Sequence, residues 1–441
     1  MKSFRIDDEA ALSEDRVLQA IYAPSLGKRS RSDVVKVLTA TEEYIKKIQH
    51  LVITGEYKPR RHQACVINEK GPHKQRTIIK PDYYPEQIVH HIAVDSIKEA
   101  VLHGMDPFVL GSIPGRGAHY GKKYIQKWIR HDPKNTKVIG KLDIRHFFQS
   151  IDHNILRAWI HKKIRPGVVR DLIDVIIEAS NEGIPLGYYT SQWLANFLLQ
   201  PLDHYIKEEL HIPHMTRYID DIVIFGSSKK QIHEAVEAID RYVWEQFRLT
   251  IKPNWQVFRL AYDTTELAIT CPTMAELYSI SGTLWSRRVK YKLKLYRGQY
   301  RIFITEKTYQ SKKPFIDELI RGYRGKVKRL RVQHGRPLDY MGFKFFRNRT
   351  TLRKSILLSA TRKAKQIKRS ARICWKQAAA MLSYMGWIDH TSTYGVFTVR
   401  IAPFVSIRRL KRVVSKHARR ESHGYHLEKD RRLSVRGTGC A

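Results

Sequence analysis

The chain has 441 residues, 80 Lys/Arg against 42 Asp/Glu, a formal charge of +38 with a pI near 10.1, and 42% apolar residues. The apolar share is enough to bury a sizeable core in two or three structural units, which excludes general disorder. No apolar run approaches the roughly 18–20 residues that span a bilayer. The start MKSFRIDDEAALSED is too acidic for a signal peptide, so the expected partner is nucleic acid in a cytoplasmic setting, with no membrane. The charge is also uneven: residues 321–441 hold 31 Lys/Arg and 5 Asp/Glu, against 49 and 37 in residues 1–320. The last quarter therefore reads as an electrostatic clamp. Cys65, Cys271, Cys374 and Cys440 are too scattered for a disulfide framework or a zinc site.

In chain order, residues 30–54 predict a helix, followed by a basic extended segment through Arg60 and Arg61 and a basic strand-like piece, Lys74 to Pro81. Ile88, Ile92, Val94, Ile97 and Val101 mark the next helix, on which His90 and His91 would point apart. The Gly-rich stretch 111–121 lacks the βαβ frame of a dinucleotide loop and reads as a loop leading into a helix at Tyr124–Ile129. A strand ends at Asp143, helices follow at Ile155–Ile164 and Val168–Ala179, a turn at Gly183–Gly187, and a long helix from Ser191 to Leu210. Residues 215–225, MTRYIDDIVIF, predict a β-hairpin with Asp220 and Asp221 at its tip. An amphipathic helix Gln231–Phe247 and a short strand and turn at 249–254 come next. Residues 261–335 show no assignable pattern. Asp339–Phe346 predicts a strand pair, 358–420 a basic helical region, and 421–441 a disordered tail.

The chemistry follows from the acids. Adjacent carboxylates repel, so a tight turn that carries two of them needs a cation, and hard oxygen ligands suit Mg²⁺. Asp143, also at a strand end, supplies the third carboxylate that a two-metal phosphoryl-transfer site requires.

Strand–Asp, helices, Gly-turn–helix, Asp-Asp hairpin, helix and strand is the order of a polymerase palm. With LDIRHFFQSID at 142–152, GIPLGYYTSQWLANFLLQPLDH at 183–204, RYIDDIVIFG at 217–226 and DYMGFKFF at 339–346, the chain resembles a bacterial, group II intron-like reverse transcriptase. Leu186, in place of the usual glutamine before the motif glycine, and SYMGWIDHTSTY at 383–394 resemble the enzymes of diversity-generating retroelements. The resemblance implies an α+β right-hand polymerase fold. Its parts would be an N-terminal segment and fingers at 1–135, a palm whose antiparallel sheet carries the YIDD hairpin at 136–260, and a primer grip with a basic helical thumb at 336–420. Residues 261–335 would be an insertion or the mark of a divergent, defence-associated branch.

The resemblance also implies roles. Asp143 and Asp220 would bridge two Mg²⁺ ions, for which Mn²⁺ can substitute, with the Ile144 carbonyl as a further ligand and Asp221 assisting. Arg76 and Lys80 would grip the triphosphate, or else face solvent. Phe148 would gate the 2′-hydroxyl, or else belong to the core. Leu186, Gly187 and Gln192 would line the nucleotide, and Lys252 would protonate the leaving pyrophosphate. Tyr218 would sit near the primer terminus, or else pack on the palm, while Met341 and Gly342 would grip the primer. The implied activity is RNA-directed DNA synthesis with template RNA, primer and dNTPs, error-prone at adenine, with an oligomeric basic accessory protein as a further partner. The alternatives are a defence-associated or retron-like enzyme using a non-coding RNA, and a catalytically silent RNA-binding relic.

Overall fold

The computed structural model describes residues 3–60, 64–68, 75–296, 299–322 and 327–419, so the expected disordered tail at 421–441 lies outside it. Two compact units part between Arg259 and Leu260.

In the first unit, the helix predicted over 30–54 is two helices, Ser32–Thr39 and Thr41–Ile53, broken at Ala40. The hydroxyls of Thr39 and Thr41 bond back to the carbonyls of Val35 and Leu38, both at 3.0 Å. Such local bonds compete with helix continuation. Ala64–Asn68 (β1) and Gln75–Ile79 (β2) form an antiparallel ribbon, and Ile88–Leu102 is the predicted helix, buried along most of its length. His90 bonds the Thr190 hydroxyl at 2.8 Å, and His91 stacks on Tyr189 at 4.2 Å.

Val138–Asp143 (β3), Met215–Tyr218 (β4), Asp221–Gly226 (β5) and Gln256–Arg259 (β6) form one antiparallel sheet in the order β4-β5-β3-β6. The central strands are short β-branched runs, with Ile139, Leu142, Ile222, Ile224 and Phe225 fully buried, as suits strands covered on both faces. β6 was not foreseen; the strand predicted at 249–254 is a single bridge between Ile251 and Ile144. The helix Lys229–Phe247 packs on the sheet through Ile232, Val236, Ile239 and Val243, and the Ser228 hydroxyl caps it. Gly140 lets it approach: a Cβ there would lie 2.8 Å from both Ile224 and Ile232. The helix predicted from Ser191 to Leu210 stops at Leu198 and restarts at Gln200, because Pro201 lacks an N–H and its ring collides with the carbonyl four residues back.

The second unit contains the stretch that showed no pattern. Tyr262–Cys271 (β7), Lys292–Tyr296 (β8), Gln299–Thr305 (β9) and Val327–His334 (β10) form an antiparallel sheet ordered β10-β7-β9-β8. The helices Met274–Ser286, Glu306–Ser311 and Lys313–Arg321 build a small core with it around Leu267, Ile269, Leu284, Ile302 and Ile304. Tyr262 pairs with His334, more than seventy residues away, which no local periodicity reports. Leu338–Tyr340 (β11), Phe343–Phe345 (β12) and Thr350–Leu352 (β13) make a three-stranded sheet. Its first turn is Met341-Gly342, with φ of 48° and 84°, the pair of positive values that a two-residue hairpin favours. The basic helices Lys354–Arg369, Trp375–Asp389 and Tyr394–Arg400 follow, the first two burying Ala360, Ala364, Ile367, Ala378, Met381 and Met385.

Gly140→Val forces methyl groups between β3 and the helix Lys229–Phe247, and should cost about 1–3 kcal/mol of stability. Urea unfolding should show a lower midpoint with an unchanged slope; a wild-type midpoint would mean that this spacing is not tight.

Candidate active site

The ladder between β3 and β5 ends on a pair of carboxylates, Asp143 directly opposite Asp221. Tyr218 faces Asp221 across the β4–β5 hairpin, so the two-residue turn is Ile219-Asp220. The two acids are therefore not both at the tip: Asp220 is in the turn and Asp221 opens the strand. Asp220 is tied to β3 through its backbone, its carbonyl accepting from Ile144 N–H at 3.3 Å. On the other side, residues 250–252 run beside 143–145: Arg145 N–H donates to Thr250 and Lys252 N–H to Asp143, both at 2.8 Å. This places the Lys252 ammonium in contact with the Asp143 carboxylate. Lys141, on the same face of β3, lies 3.3 Å from the Asp221 carboxylate.

The Asp221 carboxyl is pushed up to about 6, chiefly by burial, with the Lys141 charge pulling it down and Asp143 and Asp220 adding to the rise. Three acids thus share one electrostatic neighbourhood, with a lysine against each of the two on strands. The donor set is all hard oxygen, which fits Mg²⁺-type cations whose shells are completed by water and substrate phosphates. Among the described residues, no three His, Cys, Asp or Glu side chains form a metal-holding group.

Beneath the turn lies a network that sequence reasoning missed. Arg217 is fully buried and forks onto Asp203, with its Nε and Nη2 donating at 2.8 and 2.6 Å. Its Nη1 donates to Asn196 Oδ1 and to the Ile219 carbonyl, each at 3.0 Å. Asn196 in turn donates to the Gly111 carbonyl at 2.8 Å. Ile219 has φ of 59°, a costly conformation for a β-branched residue, and it packs so tightly on Gly111 that a Cβ there would lie 2.6 Å from its side chain. The Gly-rich stretch is thus a strap under the hairpin, bonded to β4 by Leu110 N–H to Arg217 and Arg217 N–H to Phe108. The available signal was an arginine in an otherwise apolar strand, a position that makes sense only with a buried counter-ion.

The turn 183–187 is clamped from two sides. Ile184 N–H donates to the Phe148 carbonyl at 2.8 Å, and Ile79 N–H of β2 donates to the Leu186 carbonyl at 2.7 Å. Gly187 has φ of 115°, and a Cβ would sit 1.9 Å from the Ile79 carbonyl oxygen, so only glycine passes. Phe148, Leu186, Gly187 and β2 therefore share one neighbourhood. Phe148 is half-buried beside Phe147, with ring centres 5.5 Å apart. Lys80, Gln192 and Tyr218 are exposed, and Ile144 is buried. Arg76 pairs by backbone with Ile67, and its side chain lies outside the described structure. Met341 and Gly342 form the β11–β12 turn of the second unit.

The family model described as reverse transcriptase (RNA-dependent DNA polymerase) matches residues 67–310, more than half of the chain, which therefore belongs to that family. Its α+β architecture is that of a polymerase domain. Among solved structures, apo telomerase from Candida tropicalis truncated from its C-terminal domain has a TM-score of 0.34 at 10% identity, over 45% of this chain and 50% of that one. Telomerase from Candida albicans in complex with a TWJ fragment of telomeric RNA has a TM-score of 0.34 at 9% identity, over 48% and 47%. The chain thus spans about half the length of these structures. The comparison with curated proteins gives no match.

Arg217→Met strands the Asp203 carboxylate in the core and should cost about 3–5 kcal/mol of stability. The Arg217→Met, Asp203→Leu double variant should recover much of this in chemical denaturation. A single variant as stable as wild type would show that the pair holds nothing in place.

Proposed function

We propose that this chain is an RNA-directed DNA polymerase, extending a primer on template RNA with dNTPs by nucleotidyl transfer at Asp143, Asp220 and Asp221. The observation that carries it is the register that sets Asp143 opposite Asp221 with Asp220 tied to Ile144. Asp143, Asp220 and the Ile144 carbonyl would hold two Mg²⁺ ions, which supply charge neutralisation for the attacking and leaving oxygens. Lys141, 3.3 Å from Asp221, opposes the upward push of burial on that carboxyl. Lys252, which contacts the Asp143 carboxylate, would donate a proton to the departing pyrophosphate. Phe148 would gate the ribose 2′-hydroxyl, Arg76 and Lys80 would grip the triphosphate, Gly187 and Gln192 would line the nucleotide, and Tyr218 would meet the primer terminus. Met341 and Gly342 serve as the primer grip.

Asp220→Asn or Asp221→Asn should lower primer extension in Mg²⁺ by about a hundredfold or more, since charge stabilisation of the transition state is lost. RNA affinity should persist, because it comes from a distributed basic surface. A double variant that still polymerises would overturn the assignment; a wild-type protein that binds RNA without extending any primer would favour a silent relic.

The finer role we infer is error-prone copying in a diversity-generating retroelement, aided by an oligomeric accessory protein. Support comes from Leu186, which the bond to Ile79 holds in the neighbourhood of Phe148 and β2. An aliphatic chain there cannot supply the hydrogen bond of a glutamine, and losing about 1.4 kcal/mol of discrimination is tenfold in error. Leu186→Gln should therefore reduce misincorporation, most of all opposite adenine, when cDNA from both enzymes on one RNA is sequenced. Uniformly accurate wild-type cDNA would remove the mutagenic role and leave a defence-associated or retron-like enzyme.

A further inference from the structure

The second unit carries an exposed surface remote in sequence from every residue assigned to the chemistry. Between Glu276 and Glu306 lie 29 residues with 7 Lys/Arg and no acid. The helix Met274–Ser286 buries Leu277, Ile280, Ser281 and Leu284. Its opposite side leaves Tyr278 67% and Trp285 76% exposed. At 100° per residue, Met274, Tyr278, Gly282 and Trp285 fall within one narrow stripe. Gly282 sits between the two aromatics and a Cβ there would meet nothing within 4 Å. A mid-helix glycine costs about 1 kcal/mol against alanine, and no packing in the structure calls for it; it leaves a gap between two rings. The chain then runs through exposed Arg287, Arg288 and Lys290 into β8, an edge strand with exposed Lys292 and Lys294.

We infer that this surface binds a single-stranded segment of RNA, with bases stacking on Tyr278 and Trp285 and phosphates tracking the lysines and arginines that follow. Aromatic faces beside an acid-free cationic track are what sequence-tolerant single-strand binding uses. A protein partner seated on the aromatic stripe would gain from the neighbouring cations only if its own surface were acidic, whereas a nucleic acid brings a phosphate with every base. The helix itself carries no basic residue, so it lacks the cationic face of a membrane-surface helix. RNA as the strand rests on the proposed activity; the surface itself does not.

The test uses full-length Asp220→Asn protein, so that it reads binding whether or not the chain polymerises. The probe is a fluorescent single-stranded RNA of about thirty nucleotides. Tyr278→Ala with Trp285→Ala should weaken binding by about tenfold. Lys292→Gln with Lys294→Gln should lower the slope of log affinity against log salt by about 0.7 for each lysine. Ultraviolet crosslinking of the same complex should mark Trp285. In an active background, extension of a short primer–template should be unchanged by either pair. Unchanged affinity, slope and crosslinking would overturn the inference. So would intact RNA binding with lost binding to vesicles containing anionic phospholipid, in favour of a membrane surface.

Discussion

Mutual repulsion among three carboxylates is the constraint around which the first unit is arranged. Left to themselves, Asp143, Asp220 and Asp221 would move apart or take up protons, and the charges of Asp143 and Asp220 add to the upward push that burial already exerts on the Asp221 carboxyl. The sheet opposes it by geometry. β3 and β5 are locked by a six-residue antiparallel register, and their buried β-branched side chains forbid a slip, since a one-residue shift would turn every side chain to the wrong face. Lys141 and Lys252 supply local countercharge to Asp221 and Asp143.

The support beneath the turn follows a different principle. Arg217 and Asp203 are both buried, an arrangement that costs desolvation for each ion and returns it only when every donor is satisfied. Here the guanidinium meets Asp203, Asn196 and the Ile219 carbonyl. The ion pair therefore specifies conformation: it fixes the carbonyl of a residue held at positive φ, next to the acid in the turn. The glycine-rich strap completes this by allowing Ile219 to sit where any side chain at position 111 would stand.

The second unit shows how charge and fold can separate. Its sheet and small core use ordinary apolar residues, while many of its cations lie at exposed positions of edge strands, loops and the basic helices. Strength of binding to a polyanion can then be tuned by surface substitution without disturbing the core, and the salt sensitivity of that binding reports how many cations take part.

Much was legible before any coordinates. Asp143, Asp220 and Asp221, the strands beside them and the amphipathic helix after the hairpin are local patterns: short apolar, β-branched runs, a 3–4 spacing, acids next to strand ends. Helix breaks at Ala40 and Leu199 were legible in principle, from paired threonines and a proline. What the chain order could not disclose was pairing across distance. The partner of Arg217 lies fourteen residues back, the lysine that contacts Asp143 lies 109 residues on, and β7 finds β10 across 58 to 72 residues. Local propensity says which residues form strands and helices, but burial and register are settled only when distant segments compete for the same partners. Sequence alone therefore determined the local elements, the acids they carry and the family resemblance, while tertiary packing decided which distant side chains surround those acids.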